Sequence, residues 1–548
     1  MKATINFLGR VLCTLMLCFG LVFSSCANGS FGAEAQGSLE ILGPVIISID
    51  KIDATTATFT GRLNVAASDH SVSQVTVYYS DAEAFNIDTA ESVSLKTSKG
   101  GKNFTITLTD LKHNTKYKYC IVVEVNSVKT YGDVLEFTTP YLKIINPYEG
   151  IDFATAKIVK SISHEHITTA LAWQKAYNRG IRHFPALDYS PATPRFPASN
   201  FYCRIVDGQE VYIEYQDWKS VPDGIFTLEN KTLRGGIGSF TDIDGNIINT
   251  DDLPQVPNNE HPTFTKDLKT TSNFLNHFNV LGNMWGEAGW GNNNGNTSQR
   301  ASHPICDLSN MNNFLIATNQ YWQGKAFATI NHCSSYAVAE ELIKSSLGQL
   351  PMGFELFNQY FSRSINQRFR DTYDKLLRNG IKLYAVAAVD WQGIIETART
   401  AEDYINHKYD SIEDRGCNVL YVPDNYESLP PNDFVRYNNK SYPNLHGSVY
   451  TKAEAGLDCY IQGKFFASGL GNHRITKLNI TGQKATFSVD GNPTTLKAIT
   501  SKGENKVSSN TIEISIDTGI TYVRFEAYYD KDTVKDFIFT QPIYFERK

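Results

Sequence analysis

The chain has 548 residues, which is too long for one hydrophobic core and indicates about three domains. Hydrophobic residues make up 41% and charged residues 20%, the composition of a globular protein. The net charge of −6 gives no reason to expect nucleic acid as a partner. An aromatic content of 12%, together with many Gly, Asn and Thr residues, suits strands joined by long polar loops.

Residues 1–26 have the features of a targeting segment. Lys2 and Arg10 precede an apolar run from Val11 to Phe23 that is too short to span a bilayer comfortably. The run ends in Phe23-Ser24-Ser25-Cys26, which resembles a bacterial lipobox, and a polar linker follows over 27–40. We expect a lipoprotein signal peptide, export, and a lipid anchor at Cys26 in the cell envelope, at the outer membrane. Ordinary secretory cleavage nearby is the alternative.

Six cysteines remain after this segment, and they are widely scattered. Because they lack CxxC spacing, a zinc site made of cysteines is not expected, and export alone does not establish disulfides. They are Cys120, Cys203, Cys306, Cys333, Cys417 and Cys459.

Residues 41–140 consist of short alternating segments separated by turn residues, which predicts a β-sandwich. The stretch from Leu111 to Tyr119 resembles the tyrosine-corner region of fibronectin type III domains, and Phe137-Thr138-Thr139-Pro140 resembles their closing strand. This domain carries no catalytic cluster, so a spacer or carbohydrate-contacting module is expected.

Residues 141–463 repeat a pattern of helix, glycine, apolar strand and polar residue. Predicted helices over 168–178, 307–323 and 367–378 are each followed by a glycine, and the strands after them end at Asp188, His332 and Asp390. This pattern is typical of a parallel α/β barrel, whose chemistry belongs at the C-terminal ends of the strands. Alternating strands resume over 464–548 and predict a C-terminal β-sandwich.

Ligand-type residues follow the predicted strands in a definite order. His164 and His166 follow an apolar run over 156–162 and would project from one face of a strand, as the start of a metal site. A pair of ordinary surface or core histidines is the alternative. Further along stand Glu260, His277, Asn331-His332, Glu355 within Gly353-Phe354-Glu355-Leu356-Phe357-Asn358, and Asp390.

Taken together, these strand ends resemble the PHP (polymerase and histidinol phosphatase) superfamily of metal-dependent phosphoesterases. The resemblance extends to a segment from Tyr450 to Gly469 that is followed by Arg474, and it covers about residues 145–545. It implies a distorted (β/α)7 barrel flanked by the two β-sandwiches. It also implies divalent metal ions, which the donor types would allow to be Zn, Mn or Fe.

Two departures from the family pattern agree with each other. The family's histidines after the second-strand aspartate and in the final Asp-x-His help to hold the same third metal, and Tyr189 and Gln392 stand there instead. We therefore expect a site for two metals, or even one. His164, His166, Glu260 and Asp390 would surround one ion, and Glu260 would bridge to a second ion held by His277 and His332.

Several residues keep two interpretations. Asp188 is either a ligand or a partner that orients a histidine, and Glu355 is either structural or functional. His261 and Glu287 are rival candidates for the glutamate and histidine positions. Cys333 is expected to be buried packing rather than a nucleophile. The aromatic stretch 285–295 is expected to be a loop that contacts substrate, and a disordered loop is the alternative.

The leading functional hypothesis is an exported hydrolase, a phosphoesterase that activates water at a two-metal centre. Asp188 and Glu260 would take part in catalysis, and Arg474 or Arg182 would meet the leaving-group charge. The substrate would be a small-molecule or glycan-derived phosphate ester. The rival hypothesis is a non-catalytic lipoprotein that binds carbohydrate on a degenerate barrel.

Overall fold

The computed structural model describes most of the chain after residue 45. The described residues are 46–62, 73–96, 103–125, 127–167, 170–185, 203–206, 209–212, 239–256, 258, 260–264, 274–282, 325–390, 415–437, 440–443, 449–481, 484–516, 519–530 and 536–547. The targeting segment, the linker, the predicted helix over 307–323 and the stretch 285–295 lie outside them. No helix within the described ranges is long and apolar enough to cross a membrane.

The N-terminal strands form two antiparallel sheets, one with the order β1-β2-β5 and the other β4-β3-β6-β7 with β8 also paired to β6. Apolar and polar residues alternate along β5, so that Phe104, Ile106 and Leu108 enter a core shared with Phe59 and Val77. The predicted β-sandwich is confirmed. The strands are β1 Ile46–Ile52, β2 Ala57–Arg62, β3 Ser73–Ser80, β4 Glu91–Lys96, β5 Asn103–Leu108, β6 Lys116–Val125, β7 Val128–Tyr131 and β8 Leu135–Thr138.

The predicted tyrosine corner is present at the start of β6. The backbone N–H of Lys112 donates a 2.8 Å hydrogen bond to the phenol oxygen of Tyr117, five residues further along the chain. The Tyr117 ring stacks on Phe137, with 5.4 Å between the ring centroids. The hydrogen bond and the ring stacking together hold the loop before β6 against the core of the sandwich.

The central part of the chain contains sixteen strands and four α-helices among the described residues. The helices are α1 Ala170–Asn178, α2 Tyr336–Lys344, α3 Arg363–Arg378 and α4 Lys452–Gln462. The strands are β9 Leu142–Ile145, β10 Lys157–Ser161, β11 Ile181–His183, β12 Cys203–Val206, β13 Gln209–Tyr212, β14 Ser239–Thr241, β15 Ile247–Asn249, β16 Glu260–Phe264, β17 Phe274–Leu281, β18 Phe327–Ile330, β19 Met352–Asn358, β20 Tyr384–Ala388, β21 Cys417–Val422, β22 Phe434–Tyr437, β23 Lys440–Pro443 and β24 Phe465–Ser468.

Local signals explain where these helices begin and end. Ser335 and Ser362 cap α2 and α3 with their side-chain oxygens. Thr451 and Glu454 form a capping box at the start of α4, and Gly463 ends that helix with φ of 71°. The predicted helices over 168–178 and 367–378 are confirmed by α1 and α3.

The predicted wholly parallel arrangement of the barrel strands is wrong. Strands β10–β11, β18–β19 and β19–β20 pair in parallel, whereas β10–β21, β16–β17 and β17–β18 pair antiparallel. The connection between Phe264 and Phe274 is shorter than the dozen or so residues that a parallel crossover needs, so β16 and β17 must form an antiparallel pair. With four helices among the described residues, seven complete strand–helix units are not seen there.

One bridge joins the sheet β16-β17-β18-β19-β20 to the longer sheet that contains β10 and β11. Glu165, just after β10, pairs in parallel with Asp390, just after β20. A second bridge pairs Phe184, just after β11, with Gln255, which precedes β16. The C-terminal ends of β10 and β20 therefore meet at one place.

The C-terminal strands continue the central sheet. Its order is β11-β10-β21-β24-β31-β30-β27-β28, with β32 joining β30 to β9, so the sheet continues across residue 464, where the sequence predicts a boundary. Strands β25, β26 and β29 form a separate sheet. The strands are β25 Ile475–Thr481, β26 Lys484–Val489, β27 Thr495–Thr500, β28 Gly503–Val507, β29 Thr511–Ser515, β30 Tyr522–Tyr528, β31 Phe537–Phe539 and β32 Ile543–Arg547.

A buried ionic cluster links α3 to β30. The guanidinium of Arg524, which is fully buried, donates to Asp374 on α3 at 2.9 and 2.7 Å and to Glu526 at 2.5 Å. A buried cation with two carboxylate partners is costly to disrupt, because removing it leaves the partners desolvated without a counter-charge.

We expect Arg524→Met to lower the free energy of unfolding by about 3 to 5 kcal/mol, since two buried carboxylates lose their cation. The matched control is Lys484→Met, which breaks an exposed ion pair with Glu513 and should cost no more than about 1 kcal/mol. Chemical denaturation of both variants checks this. Equal effects would show that the buried cluster does not stabilise the joint between α3 and β30.

Candidate metal centre

The structure brings together the six residues that the sequence singles out as metal ligands. Four of them follow strand ends, because His164 and His166 come after β10, His332 after β18 and Asp390 after β20. The other two lie in the antiparallel pair β16–β17. They form two groups of ligand-type side chains that share Glu260: His164, His166, Glu260 and Asp390 in the first, and Glu260, His277 and His332 in the second.

In the first group, two imidazoles face two carboxylates. His164 Nε2 lies 3.4 Å from Glu260 Oε1 and 3.2 Å from Asp390 Oδ1. His166 Nε2 lies 3.1 Å from Glu260 Oε2 and 3.6 Å from Asp390 Oδ1. The four ligand atoms are all within 4.8 Å of one another, so that one ion could contact them all.

In the second group, Glu260 faces two further imidazoles. Its Oε1 atom lies 2.8 Å from His277 Nδ1 and 3.4 Å from His332 Nε2. His332 Nε2 is also 3.9 Å from Asp390 Oδ2, which places the second group directly beside the first. The Glu260 carboxylate thus stands between two sets of histidines.

Two ligands have backbone conformations that are uncommon for non-glycine residues. His332 has φ of 31° and Asp390 has φ of 65°. Both are held by hydrogen bonds within the centre: the backbone N–H of His332 donates to Glu355 Oε2 at 2.7 Å, and that of Asp390 donates to the His164 carbonyl at 2.9 Å. The surrounding contacts therefore stabilise turns that the chain would otherwise disfavour.

Glu355 is not a member of either ligand group, and it connects them. Its Oε1 atom lies 2.6 Å from His164 Nδ1, while Oε2 accepts from the His332 backbone and from Asn358 Nδ2 at 3.0 Å. Asn358 also donates to Asp390 Oδ2 at 3.0 Å. A carboxylate on Nδ1 leaves Nε2 of His164 directed at the ligand position, which is how histidine ligands are usually oriented.

A set of buried asparagines supports the centre, and the sequence analysis did not include most of them. Asn331 donates to Asn279 at 2.7 Å and to Glu260 at 3.3 Å, and Asn279 donates to the carbonyl of Ser163 at 2.9 Å. Asn418 donates to Ser163 Oγ at 3.1 Å. Amide residues inside apolar strands, such as Asn279 in β17, are the signal that would have found them.

The charges of the centre are strongly coupled. Burial alone would raise the pKa of Glu260, but His277 and His164 lower it well below its usual value. Burial would lower the pKa of His164, but the carboxylates of Asp390, Glu260 and Glu355 raise it well above its usual value, and the pKa of His332 is raised for the same reason. The carboxylates of Glu260 and Asp390 are therefore ionised, and positive charge is favoured beside them.

The residues present fit a divalent metal ion. His164 Nε2 and Glu260 Oε2 are buried, and neither makes a well-aligned hydrogen bond to a described residue. An ion bound between them would satisfy both atoms. Mixed imidazole and carboxylate donors suit Zn, Mn or Fe.

The predicted catalytic arginine lies elsewhere. Arg474 and Arg182 both line a cavity that none of the six ligand residues lines. Cys333, next to His332, is buried, and burial raises its pKa to about 11, so it is a thiol rather than a thiolate. Cys120, Cys333, Cys417 and Cys459 form no disulfides.

Two candidate site residues, Asp188 and Glu287, lie outside the described residues. So do Tyr189 and Gln392, which stand where the PHP pattern has histidines. Of the rival candidates, His261 follows Glu260 within β16.

Comparison with known proteins found similar solved structures over about a fifth of the chain. No family model matches the chain, and no curated protein matches it. Solved structures that are similar include the sensor domain of the anti-sigma factor RsgI4 from Pseudobacteroides cellulosolvens, at 22% identity and TM-score 0.15, over 18% of this chain and 96% of that one. The third fibronectin III domain of human KIAA0343 protein is 13% identical with TM-score 0.16, over 20% and 94%. A domain of human fibronectin type III domain containing protein 3 is 17% identical with TM-score 0.15, over 20% and 92%.

We expect purified protein to bind about two transition-metal ions per chain, one for each group of ligand-type side chains. His164→Ala with His166→Ala should remove the ion of the first group, and His277→Ala with His332→Ala that of the second. Elemental analysis after supplementation with Zn, Mn or Fe measures both. His113→Ala, which changes an exposed histidine of the N-terminal sandwich, is the control and should retain full content. Equal metal content in all variants would contradict this assignment.

Metal affinity should increase with pH. The metal-free centre holds protons on His164 and His332 because neighbouring carboxylates raise their pKa values, and a metal ion must displace those protons. Affinity is therefore expected to rise as the pH rises through these elevated pKa values. Calorimetric titration with Zn in buffers of different ionisation enthalpy measures the protons released. Affinity that stays constant between about pH 6 and pH 8 would contradict the expectation.

Proposed function

We propose that this chain is a metal-dependent hydrolase of the PHP type, acting as a phosphoesterase at a two-metal centre. The observation that carries the proposal is the Glu260 carboxylate, whose two oxygens face His166 at 3.1 Å and His277 at 2.8 Å, in two different ligand groups. A carboxylate shared in this way is a ligand that can bridge two ions.

The order of the ligands along the chain supports the relationship to the PHP superfamily. The two histidines after β10 come first, then the glutamate, the single histidines and finally the aspartate after β20. Tyr189 and Gln392 replace the family's ligands for a third metal, which favours a binuclear centre. The mixed sheet differs from the family's parallel barrel, so the proposal rests on the centre rather than on the sheet.

Divalent ions at such a centre would polarise a phosphoryl oxygen and lower the pKa of a bound water. The chain's own residues would hold the geometry. Glu355 fixes the ring of His164, and Asn358 fixes the carboxylate of Asp390. These contacts place the donor atoms before substrate arrives, which reduces the reorganisation needed during reaction.

The ligand side chains differ in exposure. Those of His164 and Glu260 are 0% and 1% exposed, whereas those of His166, His277, His332 and Asp390 are 10%, 11%, 14% and 14% exposed. Glu260 and His164 therefore form the buried base of the centre, and substrate would meet the four more exposed side chains. Phe361 lies beside one of these, 5.3 Å from the His332 ring between centroids.

A serine hydrolase mechanism has one structural candidate among the described residues, and its geometry disfavours it. Ser161 Oγ lies 2.8 Å from His183 Nδ1, the arrangement of a nucleophile and its base. Both residues are fully buried, and His183 Nε2 is engaged by the Ala453 carbonyl at 3.1 Å. Burial also lowers the pKa of His183 to about 4, so this pair acts as core packing.

The lipid anchor at Cys26 would place the enzyme in the cell envelope, at the outer membrane. The substrate would be a small-molecule or glycan-derived phosphate ester that reaches that compartment. The rival function, carbohydrate binding without catalysis, would leave the two ligand groups without a chemical role.

The test is hydrolysis of p-nitrophenyl phosphate by protein lacking residues 1–26, with Zn, Mn or Fe added. We expect metal-dependent turnover that falls at least about 100-fold in Glu260→Gln, because both groups lose a charged ligand. The His113→Ala control should keep full activity. Bound metal without turnover on any phosphate ester, together with binding of neutral glycans, would favour the carbohydrate-binding alternative.

A further inference from the structure

A cavity of about 780 Å³ lies alongside β10, apart from the metal centre. Its walls come from β10, from the end of α1 and the start of β11, from β15 and from residues 471–474. None of the six ligand residues lines it. We call it the β10 cavity. Its volume is within the range of small-molecule sites, about 300 to 1,000 Å³.

The side chains lining the β10 cavity carry an excess of positive charge. Four are basic, namely Lys160, Arg182, Lys452 and Arg474, and two are acidic, namely Asp252 and Glu427. Lys452 and Glu427 neutralise each other in a 3.1 Å ion pair. The remaining three cations face one carboxylate, so the potential within the cavity favours an anion.

Lys160 is held in place by neutral groups. Its ammonium donates to the Leu470 carbonyl at 2.8 Å and to Asn472 Oδ1 at 3.3 Å, and it forms no ion pair with a described carboxylate. Its methylene chain passes close to Gly180 and Gly471, which both have positive φ. A Cβ atom on Gly471 would lie 3.0 Å from Lys160 Cε. The lysine charge is therefore fixed in position and not neutralised there.

The guanidinium groups of Arg182 and Arg474 add planar sets of N–H hydrogen-bond donors to the β10 cavity. Arg182 packs its guanidinium over the Tyr177 ring, 3.7 Å from the centroid, and donates to the Tyr177 carbonyl at 2.7 Å. Arg474 is exposed and makes no ion pair with a described residue, while its backbone N–H donates to Asp490 at 2.9 Å. Guanidinium groups match the planar oxygens of phosphate and carboxylate groups.

The cavity also offers neutral polar groups. Asn249 and Asn472 contribute amide groups to the lining. Such groups suit the hydroxyls of a sugar.

We propose that the β10 cavity is a second ligand site, which binds a small anionic carbohydrate such as a phosphorylated or carboxylated sugar. The arginines and Lys160 would contact the anionic group, and the two asparagines would hydrogen-bond to the hydroxyls. The site requires no metal ion, so ligand binding there can be tested separately from the phosphoesterase proposal.

Calorimetric titration of EDTA-treated protein lacking residues 1–26 tests the site. The probes are glucose 6-phosphate, glucuronate, inorganic phosphate and uncharged glucose. We expect one or both anionic sugars to bind at least 10-fold more tightly than glucose and than inorganic phosphate. Comparison of the two anionic sugars distinguishes phosphate from carboxylate as the recognised group.

Variants locate the binding. Arg474→Ala should weaken it at least 10-fold, whereas Arg368→Ala, an exposed arginine on α3 outside the cavity, should leave it unchanged. His164→Ala with His166→Ala should also leave it unchanged. Thermal unfolding confirms that each variant is folded, and Arg474→Gln replaces any that is not. Absence of binding, or binding that survives the Arg474 change and is lost with the histidines, would overturn the proposal.

Discussion

The carboxylate of Glu260 is the group on which the candidate centre depends. It is 1% exposed and lies within 3.4 Å of ring nitrogens from four histidines. An isolated carboxylate would not remain ionised at such depth, because desolvation favours its neutral form. The imidazoles reverse that preference. The carboxylates in turn attract positive charge to these imidazoles, whether that charge is carried by protons or by metal ions.

That arrangement is also maintained by residues that belong to neither ligand group. Glu355 joins the ring of His164 to the backbone of His332, so the two groups cannot move independently. The bridge between Glu165 and Asp390 joins the sheets that carry them. Farther away, the C-terminal strands β30 and β31 extend the same sheet as β10, and Arg524 ties β30 to α3. The C-terminal strands thus form part of the framework of the centre.

Sequence reasoning singled out the six residues that the structure brings together. Four of them follow apolar strands, as Asp390 follows β20, and Glu260 and His277 were expected from the resemblance to the PHP order. It identified α1 and α3 through helical periodicity and the glycines after them. It did not predict which strands are antiparallel. The alternation of apolar and polar residues along a strand such as β17 is the same whether the neighbouring strand is parallel or antiparallel. Partners such as Asn279 and Ser163 are far apart in sequence, and only the tertiary fold shows that they are in contact.

Strand β10 and the residues directly after it run from the β10 cavity to the metal centre. Lys160 lines the β10 cavity near the end of the strand, and His164 enters the metal centre four residues later. Between them, Ser161 is fixed by His183 and Tyr460, and Ser163 by Asn418. Each of these hydrogen bonds is buried, so the segment behaves as a rigid connection rather than a loose loop.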